Sequence, residues 1–180
     1  MRHRPVGTLA GVTIVPDTKD WTWVLHRPCE ECGFDTRSVP REQIAALLLA
    51  NAERWPGVLA DAERARRRTR PDRWSLLEYA CHVRDVLRLG DYRLGLMLTE
   101  EDPTYPGWDQ DAAAIEDRYG DQEPTAVAAE LAAAARRIAA SLATVSDAQW
   151  ERTGVRGDGV RFTVESFARY VAHDTVHHLY

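Results

Sequence analysis

At 180 residues, with 44% hydrophobic and 28% charged side chains, the chain can bury one core without staples and is too well mixed to be disordered. A net charge of −5 argues against nucleic acid as the main partner, because phosphate binding needs an uncancelled basic surface. No apolar run approaches the ~20 residues that cross a bilayer, so no membrane role is expected. Three cysteines, an odd number, make no disulfide framework and favour reduced thiols in a cytoplasmic setting.

Residues 1–37 read as an irregular, partly extended N-terminal arm. They hold Pro5, Pro16 and Pro28, and β-favouring runs at 12–15 and 21–25. Residues 6–15 resemble the apolar part of a signal peptide, but Pro16 and Asp17 follow with no small-x-small cleavage site, so a strand or extended arm is expected. Trp21-Thr-Trp-Val-Leu25 alternates enough for a short strand or an arm laid across the bundle. Cys29 and Cys32 then stand at C-x-x-C spacing before Gly33, the shape of half a zinc knuckle. A tetrahedral site needs two more ligands, for which His26 and a remote histidine are candidates. The plainer reading is two partly buried cysteines in a tight turn.

Residues 38–180 read as a helical bundle. Ser38 is the N-cap candidate of the first helix, with Pro40 in its first turn, and Pro56-Gly57 should kink or break that helix. The five arginines between Arg64 and Arg70 suit a solvated helix end. Ser75 and Glu78 form an S-x-x-E capping box, so a second helix starts there. Its apolar rows, Leu76, Ala80, Val83 and Leu87 beside Tyr79, Val86 and Leu89, leave His82 facing the core. Residues 100–123 read as a long loop in which Trp108 and Asp109 could overhang a site. Pro124 opens an Ala-rich third helix to about Val145. The Gly-rich stretch from 154 to 159 suits a hairpin-like turn, and Thr163 caps the last helix with Glu165 in its first turn.

That last helix carries His173 and His177. Four residues advance a helix by about 40° beyond a full turn, so both imidazoles leave one face as a two-tooth metal clip. His178 lies about 140° from His173 and is the poorer partner by the same geometry. His82 is the core-facing histidine that could complete a three-histidine site. Three neutral imidazoles with an open fourth position are the pattern of catalytic zinc, and Ni²⁺ or Fe²⁺ also suits such ligands.

The chain resembles the DinB-like (YfiT-like) superfamily of four-helix metalloproteins. The resemblance rests on Trp74-Ser-Leu-Leu-Glu-Tyr-Ala-Cys-His-Val-Arg-Asp85, Trp108-Asp-Gln-Asp-Ala112, and Phe162-Thr-Val-Glu-Ser-Phe-Ala-Arg-Tyr170 running into His173-Asp-Thr-Val-His-His-Leu179. It implies an all-α, up-down-down-up four-helix bundle and a divalent metal, zinc first, held by His82, His173 and His177. Characterised relatives include bacillithiol or mycothiol S-transferases and mycothiol-dependent maleylpyruvate isomerase. The resemblance therefore implies a small-molecule substrate and a low-molecular-weight thiol cosubstrate whose sulfur takes the open metal position, with a homodimer among the expectations. Asp174 and Glu78 are the candidates for orienting a ligand histidine. A metal-dependent hydrolase and a non-catalytic metal-binding bundle are the alternatives. The arm with Cys29 and Cys32 lies outside the family pattern.

Overall fold

Four long or central helices build a bundle in the computed structural model, which describes residues 19–180. Among the described residues the helices are, in chain order, α1 (Ile44–Ala52), α2 (Trp55–Val58), α3 (Ala62–Arg66), α4 (Leu76–Thr99), α5 (Gln110–Glu116), α6 (Pro124–Ala143) and α7 (Val164–His177). α4 packs against α6 and α7, and α1 closes the far side against the same two. The bundle is thus α1, α4, α6 and α7 in up-down-down-up order, as expected. Leu77, Leu87, Leu94 and Met97 of α4 meet Leu131 and Ile138 of α6 and Phe167 and Val171 of α7 in one core.

The capping signals hold. Ser75 Oγ accepts the Glu78 amide, and the Glu78 carboxylate accepts the Ser75 amide in return. Thr163 and Ser166 make the same exchange at the start of α7. α4 approaches its neighbours closely at Gly90, where a Cβ would stand 3.0 Å from Ile138 Cδ1 and 3.3 Å from Val171 Cγ2. Gly90→Val should therefore destabilise the protein by about 1–3 kcal/mol, read as a lower urea midpoint with an unchanged slope.

Several local expectations give way. Trp21–Leu25 is a 3-10 helix, not a strand: Asp20 caps it through the Thr22 amide, and it joins no sheet among the described residues. Ser38 is not a helix cap, since its hydroxyl turns back to the Asp35 carbonyl and α1 begins after a further 3-10 turn at Arg41–Gln43. The first helix does break, but at Glu53–Arg54, with Pro56 in the opening turn of α2 where its missing N–H costs nothing. Two of the five arginines are not merely solvated. Arg66 reaches the Gln122 carbonyl and the Glu123 carboxylate, and Arg68 pairs with the buried Glu78.

Residues 100–123 have structure of their own. Thr104–Tyr105 (β1) runs parallel to Thr153–Arg156 (β2), which forms an antiparallel hairpin with Arg161–Thr163 (β3). The hairpin turn needs Gly159 at φ +90°. Asp109, instead of overhanging a site, caps α5 by accepting the Asp111 and Ala112 amides. Among the described residues, no helix is long and apolar enough to cross a membrane. The runs at 6–15 and 12–15 lie outside the described residues.

Candidate metal centres

The rotation of α7 decides which side chains meet. Its core-facing buried stripe is Val164, Phe167, Ala168, Val171, Ala172 and Thr175, and His173 is buried on another face. At 100° per residue, His173 and His177 stand roughly opposite that stripe, whereas Asp174 and His178 flank it. The helix therefore carries two interleaved i, i+4 pairs on two different faces.

The outer pair meets the arm. The chain turns tightly from Cys29 to Phe34: the Gly33 amide donates to the Cys29 carbonyl at 2.8 Å and the Cys29 amide to the Phe34 carbonyl at 2.9 Å. Gly33 sits at φ +73°, where a side chain would strain the backbone. This turn places Cys29 Sγ 3.7 Å from His177 Nδ1 and Cys32 Sγ 3.9 Å from His173 Nε2. All four ligand atoms lie within 4.8 Å of one another. Trp21 covers both imidazoles, with ring centroids 5.7 Å from His173 and 5.0 Å from His177. Under that cover His173 is neutral at pH 7, since burial and then the His177 charge push its pKa down to about 4.

The inner pair meets α4. His82 Nε2 lies 3.1 Å from Asp174 Oδ1, and His178 Nε2 lies 3.4 Å from the same oxygen. The three ligand atoms again fall within 4.8 Å of one another. His82 is 1% exposed, and its Nδ1 is a buried nitrogen with no hydrogen-bond partner among the described residues. Aromatic rings fix the set: Trp108 stacks on His82 at 5.4 Å and 11°, Trp74 lies 5.3 Å from it, and Tyr79 stacks on His178 at 5.2 Å. Burial first, then the neighbouring His82, pushes His178 down to about 3, so it too is a neutral imidazole. Burial would raise Asp174, but His82 beside it prevails and draws the carboxyl down to about 2.

The structure thus places His173 and His177 together, as the clip requires, but divides the expected set. His82 belongs with Asp174 and His178, on the face of α7 next to the clip's, about 100° round the helix. The clip faces Cys29 and Cys32 instead. Asp174, expected as an orienting residue, sits level with the imidazoles, while Glu78 is occupied by its cap and by Arg68. Cys81 behaves as the small buried hydrophobe expected of it, with burial raising its thiol to about 12.

Both groups fit a metal by donor chemistry and spacing. Sulfur and nitrogen ligands of one tetrahedral zinc stand about 3.6 Å apart, given bonds of about 2.3 and 2.0 Å. Nitrogen and oxygen ligands of one cation stand about 3.0–3.4 Å apart. Beside the inner group a cavity of about 250 Å³ is lined by Asp174, Trp108, Arg93, Arg156, Tyr170 and Phe167 among others. Arg156 is engaged by Asp158 at 2.9 Å. Arg93, 9% exposed, donates Nη2 to the Pro106 carbonyl at 2.7 Å, and its Nε has no partner among the described residues.

The sequence profile of the DinB superfamily matches residues 47–180, and the chain belongs to that superfamily. A solved structure, YfiT from Bacillus subtilis, described as a probable metal-dependent hydrolase with an unusual four-helix bundle topology, is similar at 22% identity. Its TM-score is 0.66 with 85% of each chain covered, a likeness of fold. A search of curated proteins finds no match.

Proposed function

We propose that this member of the DinB superfamily is a metal-dependent enzyme centred on His82, Asp174 and His178, and that it hydrolyses a small anionic substrate. The observation that carries this reading is the position of Asp174, which joins two imidazoles on one side and lines the cavity on the other. Two imidazoles and a carboxylate are a familiar catalytic ligand set with room for a substrate or water. A divalent cation held there would supply Lewis acidity and bring the pKa of water into the neutral range.

The remaining work falls to the chain's own residues. Trp74 and Trp108 wall His82, keep water from it and hold its ring orientation. Arg93 is a buried guanidinium among the residues that line the cavity, so its charge is the group that would hold an anionic part of the substrate through a charge-assisted hydrogen bond. The description of YfiT as a probable hydrolase supports the reaction class by analogy of fold. Thiol transfer is the second reading. The same open position would take a thiol sulfur, although a carboxylate ligand suits oxygen chemistry better than sulfur chemistry.

A panel of carboxylate-bearing and neutral esters and amides tests both. Turnover should vanish with a chelator, return with zinc or another divalent ion, and need no thiol. Dependence on an added low-molecular-weight thiol would favour transfer, and turnover unaffected by both chelator and His82→Ala would sink the assignment. Arg93→Met should raise KM for the carboxylate-bearing substrates about tenfold or more, the worth of one charge-assisted hydrogen bond, and spare the neutral ones.

A further inference from the structure

We infer that Cys29, Cys32, His173 and His177 form a second, structural zinc site that staples the N-terminal arm to α7. Four features carry it, and none depends on the hydrolase reading. The donor set is the two-cysteine, two-histidine set that zinc takes in closed tetrahedral sites. The crossed pairs Cys29–His177 and Cys32–His173, at 3.7 and 3.9 Å, match the separation of sulfur and nitrogen on one zinc. The Cys29–Gly33 turn has the backbone form of a knuckle, with Gly33 in the left-handed region and its amide returned to the Cys29 carbonyl. Finally, the Glu31 carboxylate stands 3.7 Å from the outer ring nitrogen of His177, so the turn places an acidic group beside one of its own ligand rings.

Four protein ligands leave no open position, which makes the site structural. Zinc binding displaces one proton from each thiol to solvent and gives two thiolates and two neutral imidazoles around the ion. The staple joins residues more than 140 positions apart in sequence, with the separation Cys32–His173 being 141. It reinforces the contact that already holds the end of the arm, in which Arg169 donates to the Thr36 carbonyl and, just beyond it, to the Val39 carbonyl. By fixing the outer face of α7, it also fixes where Asp174 and His178 stand on the next face.

Cobalt substitution of the full chain tests the site. Cobalt-loaded wild type should show a sulfur-to-cobalt charge-transfer band in the near ultraviolet and tetrahedral visible bands, with about two metal equivalents per chain when both centres load. The double variant Cys29→Ser, Cys32→Ser should lose the band and about one equivalent, and trypsin should cut the arm after Arg37 about tenfold faster. His82→Ala should keep the band, so loss of the inner ion is scored apart from the staple. Absence of the charge-transfer band in wild type overturns the proposal without any variant. Full alkylation of Cys29 and Cys32 at equal rates with and without zinc overturns it as well.

Discussion

Replacing Asp174 with Ala should abolish turnover and release the inner cation while leaving the thiolate-bound one in place. Asp174 Oδ1 is the atom shared by His82 and His178, so its removal leaves two rings with nothing to bridge them. The loss should exceed the roughly 10–100-fold that removal of an orienting partner costs a metal site. His173→Ala, one residue away, should do the reverse and cost the sulfur-linked ion first. Metal analysis of the two variants side by side reads both outcomes. If His173→Ala empties the inner centre and Asp174→Ala does not, the division of the cluster described above is wrong.

The second large effect concerns stability. Arg68→Met should destabilise the protein by about 3–5 kcal/mol at pH 7, because it leaves the Glu78 carboxylate buried and unpaired at the start of α4. In the wild type, burial pushes the Glu78 pKa up, but the Arg68 guanidinium and the Ser75 amide outweigh it and hold the group below its ordinary value. The pair's contribution is therefore complete above the ordinary glutamate pKa, about 4.3, and is lost as pH falls through the lowered folded-state value. In the variant only the Ser75 hydrogen bonds still oppose burial, so the group is protonated more readily and protonation relieves it. The gap between wild type and variant should then narrow between pH 7 and pH 4 in urea titrations. A gap constant with pH would show that Arg68 acts through packing instead.

Much of the bundle was legible because its signals are local. The Ser75–Glu78 box, Pro124 and Thr163 each mark a helix start within a few residues, and their structural counterparts follow. His82 was legible as core-facing from the rows around it. The division of the histidines was harder, since both i, i+4 pairs of α7 satisfy the spacing rule. A signal was present: the apolar stripe from Phe167 to Ala172 puts His173 and His177 roughly opposite the core, too far round to meet His82. The arm covers them, burying His173 and half-burying His177, which helical periodicity cannot reveal. Cys29 and Cys32 looked like half a site because their complement lies in the last helix. Trp21–Leu25 misled because alternating aromatics suit a strand, whereas the Asp20 cap and the stacking of Trp21 on Trp23 at 5.7 Å favour a tight turn.

The interleaving of the two pairs makes a change in register of α7 reach further than any single substitution in it. One residue inserted between Val164 and Ala172 would turn everything after it by about 100°. His173 and His177 would then occupy the directions now held by Asp174 and His178, facing His82, and the cysteines would lose their partners. A single insertion would thus convert an N₂O centre beside an S₂N₂ one into the three-imidazole arrangement, unless the helix absorbed it as a π-bulge before reaching His173. Point changes in α7 should have graded effects, one centre at a time. Length changes should reassign both centres in one step.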